Sequence, residues 1–157
     1  MSSAVASIGV TLADAPRGSP LYGEALRLRE ALLRKPLGLT ITEEELADDA
    51  RRRHFCALAN GAVIGTVSMR PLGAHTLQLK QMAVAPEWRG KGVGARLLAH
   101  AEAWARSQEY AFVILNARIG AEGFYAKHGY VAQGEPFEEN SIPHIRMTKR
   151  IWEEQKR

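Results

Sequence analysis

The decisive stretch runs Gln81-Met82-Ala83-Val84-Ala85-Pro86-Glu87-Trp88-Arg89-Gly90-Lys91-Gly92-Val93-Gly94-Ala95-Arg96. Its upstream part belongs to a strand from Leu77 to Ala85, with Leu77 and Leu79 on the buried side, Met82 a further candidate, and Pro86 as the stop. Downstream, Val93, Leu97, Leu98, Ala101, Trp104 and Ala105 recur at helical spacing and form the apolar stripe of a helix laid on a sheet. Between strand and helix lies a glycine-rich turn. Such a turn aims several unpaired backbone N–H groups at one point, adds the positive end of the helix dipole, and keeps side chains out of the way of a phosphate. Each charge-assisted hydrogen bond contributes roughly 1.5–3 kcal/mol, so a few suffice to anchor a pyrophosphate.

Two better-known phosphate patterns do not fit this turn. A P-loop needs Ser or Thr after Gly-Lys and an upstream glycine, whereas Gly90-Lys91 is followed by Gly92. A dinucleotide fingerprint started at Gly90 and Gly92 meets Ala95, and one started at Gly92 and Gly94 meets Leu97. A purely structural turn remains the plain alternative.

Outward from this centre, the chain alternates strands and helices. Val5 to Leu12 reads as a first strand, and Pro16, Gly18 and Pro20 separate it from a helix over Leu21 to Arg34 that Pro36-Leu37-Gly38 stops. Thr42 and Glu45 have capping-box spacing, in which hydroxyl and carboxylate satisfy free N–H groups reciprocally, and open a second helix toward Arg51. His54 to Ala59 and Ala62 to Met69 flank Asn60-Gly61, a tight-hairpin signal. After the long helix, Ala111 to Leu115 is a continuous apolar run suited to a central strand buried on both faces. A short helix over Ala121 to Lys127, strands at Val131 to Gln133 and His144 to Lys149, and a frayed tail from Trp152 complete the order. This order predicts an α/β (α+β sandwich) fold: one domain over residues 1–157, with a mixed, mostly antiparallel sheet, helices on both faces, and frayed ends at 1–4 and 153–157.

The bulk properties narrow the setting. A chain of 157 residues with 46% hydrophobic and 24% charged residues can bury one core and holds no apolar run long enough to span a bilayer. Met1 to Ala15 lacks the basic and densely apolar segments of a signal peptide, and the single cysteine, Cys56, rules out an internal disulfide, so a cytoplasmic setting is expected. The net charge of +4 is dispersed; Arg51-Arg52-Arg53 directly follows Asp48-Asp49, so no nucleic-acid partner is expected. The five histidines are scattered without metal-ligand spacing, and no metal is expected. Cys56 lies mid-strand without a paired histidine motif and reads as an inert core thiol.

The turn, with its preceding strand, resembles the acyl-CoA site of the GNAT superfamily of N-acyltransferases, whose pattern Arg/Gln-x-x-Gly-x-Gly/Ala is met by Arg89, Gly92 and Gly94. Phe124-Tyr125-Ala126-Lys127-His128-Gly129-Tyr130 is similar to the family's FY-x-x-x-GF segment. Pro36-Leu37-Gly38-Leu39, Phe137-Glu138-Glu139 and Ile142-Pro143-His144-Ile145-Arg146-Met147 resemble the ElaA/YjcF-like branch. The resemblance departs at two places. Many relatives carry Asn seven residues before the tyrosine, where this chain has Arg118 with Asn116 two residues earlier. Some carry a catalytic Glu on the strand before the loop, where this chain offers Gln78, Lys80 and Gln81.

The resemblance implies acetyl-CoA or another acyl-CoA as cosubstrate and a small-molecule or peptide amine as acceptor, with a homodimer left open. It assigns the pantetheine arm to Met82, Ala83 and Val84, and the pyrophosphate to Arg89, Gly90, Lys91, Gly92, Val93, Gly94 and Ala95; Asn116 is placed with them. Tyr125 becomes the general-acid candidate, and Glu138, Glu139 and His144 are the candidates for the base. The rival expectation is a non-catalytic acyl-CoA-binding or sensing module, which the missing strand Glu permits.

Overall fold

Asn60 and Gly61 both adopt positive φ, 52° and 79°, the signature of the tight turn that joins strands with matching right-handed twist. They connect β2 (Arg53–Ala59) to β3 (Ala62–Pro71), with Ala59 opposite Ala62 and a bulge at Ala57/Leu58. The computed structural model describes residues 9–153. β1 (Val10–Asp14) pairs antiparallel with β2; residues 5–8 of the expected first strand lie outside the described range, as do 1–4 and 154–157. β4 (Thr76–Val84), β5 (Phe112–Arg118), β6 (Val131–Glu139) and β7 (Ile142–Arg150) complete a seven-stranded sheet of order β1-β2-β3-β4-β5-β7-β6. β4 and β5 run parallel, whereas β5, β7 and β6 pair antiparallel in turn. Four helices accompany the strands among the described residues: α1 (Pro20–Leu33), α2 (Glu43–Asp49), α3 (Val93–Ser107) and α4 (Glu122–Lys127).

The described chain divides into two compact units. One comprises the chain up to Arg70 plus Gln81–Ala101, the other Pro71–Lys80 plus the chain from Glu102 onward.

In the first unit, Pro20 opens α1 rather than separating it from β1. Ser19 caps the helix by accepting from Tyr22 N at 3.2 Å, and Pro20 occupies a first-turn position where no N–H is needed. The fully buried members of α1 are Ala25 and Arg29, not the leucines. Arg29 is buried because its guanidinium donates to Asp49 Oδ2 at 2.9 Å; Tyr22 donates to the same oxygen at 2.5 Å, and His54 Nε2 bonds the Asp49 carbonyl at 2.9 Å. Thr42 caps α2 by accepting from Glu45 N at 3.1 Å, but the reciprocal half of the expected box is absent: Glu45 turns its carboxylate to Arg34, at 2.7 and 3.2 Å.

α3 presses its Val93, Leu97, Leu98 and Ala101 stripe into the core. It comes so close to β3 that a Cβ on Gly65 would meet Leu97 Cδ1 at 2.8 Å, Val93 Cγ1 at 3.3 Å and the Ala83 carbonyl at 3.4 Å.

In the second unit, β5 alternates instead of being buried on both faces. Val113, Leu115 and Ala117 are buried, while Phe112, Ile114, Asn116 and Arg118 on the other face are half-exposed. β6 continues past Gln133, the end expected for it, through Gly134 and Pro136 to Glu139. It is an edge strand, so a bulge between Gln133 and Phe137, with Gly134 at φ 74°, absorbs both residues without breaking the ladder. Phe137, Glu138 and Glu139 therefore lie on a strand and not in a loop.

Leu97 is fully buried and cannot yield freely, so Gly65→Ala is expected to lower stability by about 1–3 kcal/mol. Urea denaturation followed by far-UV circular dichroism checks this, and an unchanged midpoint would mean that α3 is not seated against β3 as described.

Candidate functional site

β4 reaches the glycine-rich turn through Ala85, whose N–H donates to the Ile64 carbonyl at 2.8 Å, and through a short 3-10 turn, Pro86–Trp88. Gly90 and Gly92 take φ of 74° and 82°, a region L side chains rarely enter, and a Cβ at Gly90 would find nothing within 4 Å. The first hydrogen bond into α3 runs from Arg96 N to the Gly92 carbonyl, 3.1 Å. The N–H groups of Val93, Gly94 and Ala95 precede it and so have no helical acceptor. A 15-residue helix stands behind them, adding its positive end. Arg89, Gly90 and Lys91 are exposed; Arg89 Nε donates to the Val84 carbonyl at 3.1 Å, and Lys91 Nζ lies 5.1 Å from the Trp88 ring centroid. This cradle has the open backbone, unpaired donors and cationic rim that a diphosphate requires.

Of the segment just before the turn, Ala83 is buried, and Met82 and Val84 are half-buried. Gln81, ahead of them, adopts φ 63° inside a strand, a conformation that costs a non-glycine residue about 1–3 kcal/mol and persists only where its surroundings hold it. The holding group is Ser68 on β3, whose hydroxyl donates to Gln81 Oε1 at 3.0 Å and receives Arg52 Nη1 at 3.4 Å; Arg52 in turn binds Asp48 at 2.6 Å. This polar chain escaped the sequence reading. Its only signals there were Gln78, Lys80 and Gln81 on the strand where some relatives of the resembled family carry Glu.

The second unit holds Tyr125, Asn116 and the three base candidates. Tyr125, on α4, is 8% exposed, and its hydroxyl has no hydrogen-bond partner among the described residues. Burial pushes its pKa from 10.0 up to about 12, so the phenol keeps its proton across the physiological range. Its ring is held edge-on by Phe124 and Tyr130, at 5.1 and 5.8 Å. Tyr130 donates to the buried Glu102 carboxylate at 2.9 Å, and Lys149 Nζ satisfies that carboxylate at 2.8 Å. A buried charge thus fixes the wall against which Tyr125 rests.

His144 is buried and shares a strand face with Phe137 and Glu139, which lie across from it and from Ile142. Its Nδ1 bonds the Ile142 carbonyl at 2.7 Å. A carbonyl only accepts, so Nδ1 carries the proton and Nε2 is left facing the Glu139 carboxylate at 3.5 Å. Phe137 stacks on the ring at 6.1 Å. Glu138 alternates to the opposite face, so the structure brings His144 and Glu139 together and leaves Glu138 apart. Asn116 is half-buried and stands opposite Arg146.

Cys56 is fully buried, and burial, with smaller contributions from Glu24 and Asp14, pushes its pKa from 9.0 up to about 11. Such a thiol is not a nucleophile at neutral pH. Among the described residues no group of three or more His, Cys, Asp or Glu side chains is placed to hold a metal, and no helix is long and apolar enough to cross a membrane.

The fold is a mixed α/β sheet with parallel β4 and β5, in which β4 leads into a glycine-rich turn at the N-terminus of α3, and known proteins share it. The family profile described as "Acetyltransferase (GNAT) domain" matches residues 34–151. A protein of Bacillus subtilis (strain 168) named as an acetyltransferase is 29% identical over 128 residues, 80% of this chain and 86% of that one. Among solved structures, Escherichia coli ElaA superposes with a TM-score of 0.74 at 22% identity, covering 89% of this chain and 99% of that one. A GNAT family acetyltransferase from Elizabethkingia anophelis with acetyl-CoA bound gives 0.69 at 22% identity, covering 91% and 99%. The chain belongs to the GNAT acetyltransferase family.

The raised pKa and full burial of Cys56 lead to a direct expectation: at pH 8 iodoacetamide modifies the native protein at least about tenfold more slowly than the urea-unfolded chain. Mass spectrometry over a time course reads this, and equal rates would mean that the thiol is accessible and ionised.

Proposed function

We propose that the protein transfers an acyl group, acetyl foremost, from acyl-CoA to a primary amine by direct attack within a ternary complex. The observation that carries this reading is the row of unpaired N–H groups at Val93, Gly94 and Ala95 behind the open glycines Gly90 and Gly92. The family match, which runs through both compact units, supports treating residues 1–157 as one acyltransferase domain. A cytoplasmic setting belongs to the same reading, supported by the single buried thiol. The acetyl-CoA bound to the Elizabethkingia anophelis relative supports the choice of cosubstrate.

In this reading Arg89 to Ala95 hold the diphosphate. The strand edge at Met82, Ala83 and Val84 pairs with the pantetheine amides as an added strand would, and Asn116 serves the same arm. Bound acyl-CoA supplies an activated thioester carbonyl. Once an ammonium acceptor has given up a first proton, its nitrogen forms a bond to that carbon, the carbon–sulfur bond breaks, and the nitrogen loses a second proton while the departing sulfur gains one. The Val84 N–H stabilises the charge developing on the carbonyl oxygen, an effect of about 3–4 kcal/mol where such donors have been removed. Tyr125, protonated and with no protein partner for its hydroxyl among the described residues, gives the sulfur its proton.

The first of the amine's two protons is the harder to remove. A free alkylamine with pKa near 10.4 is almost wholly protonated at pH 7, so supplying its free base costs about 4–5 kcal/mol. His144 is the base we favour, because its Nε2 is the basic nitrogen left after Nδ1 is engaged, and Glu139 beside it stabilises the imidazolium that results. Glu138, on the other face, has neither partner.

The absence of a carboxylate from Leu77 to Met82 favours one rival, a non-catalytic acyl-CoA-binding or sensing module. Release of free CoA from acetyl-CoA, followed with a thiol reagent across polyamines, amino acids, aminoglycosides and lysine peptides, separates the two. Amine-dependent release supports the enzyme, and tight CoA binding with no release across the panel supports the module.

Given a responsive amine, Tyr125→Phe is expected to lower kcat by about 100-fold, the low end for a general acid, with residual turnover from solvent protonation of the thiolate. Because the Tyr125 pKa is raised to about 12, the wild-type rate shows no alkaline fall from this group below about pH 10. Unchanged kcat at saturating acetyl-CoA would remove Tyr125 from the chemistry.

A further inference from the structure

We propose that Arg118 and Arg146 form an oxyanion-binding subsite that selects an acceptor amine carrying a carboxylate or phosphate group. The proposal rests on the acyltransferase reading above and names the chemical class of its acceptor.

The argument starts from register. In the β5–β7 ladder Asn116 stands opposite Arg146, and Arg118 opposite His144. Residues directly opposed in an antiparallel pair share a face, so these four side chains form one block, on the side away from the buried Val113, Leu115, Ala117 and Met147. Arg118 and Arg146 occupy diagonal positions, about 7–8 Å apart at Cα in any such ladder, a separation from which two long side chains can converge on one anion. β6 extends the face with Gln133 opposite Arg146 and Phe137 opposite His144.

The charges on this face do not balance. The ladder places one carboxylate on it, Glu139, which sits against His144 Nε2; Glu135 lies in the β6 bulge, outside the register. Arg150, farther along β7, is engaged by Glu153 at 3.1 Å and by the Phe112 ring. The guanidinium groups of Arg118 and Arg146 have no hydrogen bond, ion pair or ring partner among the described residues. Most other described arginines donate to a protein oxygen. Arg17, Arg27 and Arg51 do not, and these three, like Arg146, are exposed. Arg118 differs from them in being half-buried, so part of its hydration is lost with no counter-charge to replace it. Two like charges at diagonal positions also repel. A ligand oxyanion offsets both costs, and guanidinium forks match carboxylate and phosphate geometry.

The test measures binding by calorimetry to the full chain saturated with CoA, using matched probes. These are 3-aminopropanoate and 6-aminohexanoate against their carboxamides, and 3-aminopropyl phosphate against 3-aminopropanol. At least one anionic probe is expected to bind about tenfold or more tighter than its neutral partner, the scale of one or two charge-assisted hydrogen bonds. Whether carboxylate or phosphate gives the larger ratio identifies the natural group. In Arg118→Gln/Arg146→Gln the ratio is expected to fall below about threefold while acetyl-CoA affinity stays within about twofold, and Arg118→Lys/Arg146→Lys, which keeps both charges, retains part of the preference. Equal binding of anionic and neutral probes, or a preference that survives the double glutamine change, overturns the subsite. So does the absence of binding by every anionic probe at millimolar concentration while acetyl-CoA binds, and that result leaves the acyltransferase reading standing. Failure of the wild-type chain to bind acetyl-CoA sinks that reading, and the subsite with it.

Discussion

The depth at which α3 sits on β3 is set by a missing methyl group. With Gly65 beneath them, Leu97 and Val93 descend to a distance that a side chain there would forbid, and the helix N-terminus is thereby held at the end of β4. Everything proposed for the diphosphate cradle depends on that seating. The unpaired N–H groups of Val93, Gly94 and Ala95 act as a site only if they are fixed in direction, because donors that must be reoriented forfeit much of what they contribute. The positive φ of Gly90 and Gly92 serves the same end from the other side, turning the chain from strand to helix without a Cβ over the donors.

Features that follow from local chemistry were legible in the sequence. Asn60-Gly61 forces a hairpin, Thr42 caps α2, the spacing from Val93 to Ala105 makes an amphipathic helix, and Gly129 at φ 92° ends α4. Features that arise from competition between distant groups were not. Glu45 has two acceptable partners, the Thr42 N–H and the Arg34 guanidinium, and nothing local reveals that the charged one prevails. Arg29 reads as a solvent-facing helix residue until Asp49, twenty positions away, is brought beneath it. Pro136 breaks a central strand but not an edge strand, and the edge position of β6 is a property of the whole sheet. The apolar run of β5 hid its alternation because its polar members, Asn116 and Arg118, come only at the end.

The candidate site divides along the same line. The glycines of the cradle are visible as a pattern because glycine has one dominant reason to recur at a turn. Gln81 is not, since a glutamine in a strand gives no hint that its φ is positive or that Ser68 and Arg52 hold it there. Tyr125 was marked by motif, but the reason its ring stays in place, the Lys149–Glu102–Tyr130 chain, joins residues up to 47 positions apart. That chain also bears on the proposed chemistry: the wall it forms helps to bury the Tyr125 phenol, and burial raises its pKa to about 12, keeping the proton that the proposed acid would give.

The harder proton transfer, from the amine, can be eased by the same arginines assigned to the acceptor's oxyanion. In a medium of effective dielectric constant near 20, a positive charge about 7 Å from an ammonium group raises its free energy by about 2.4 kcal/mol. A bound carboxylate and Glu139 match the two guanidiniums in number, so only an amine held nearer the guanidiniums than Glu139 feels part of that energy, which in full would be about 2 pKa units and about half of the 4–5 kcal/mol needed to present free base at neutral pH. The acceptor's charged group would then do more than fix orientation. By drawing the amine toward the guanidiniums it would bring the nitrogen where its own proton is least stable, leaving His144 a smaller free-energy gap to close than at a site without charge.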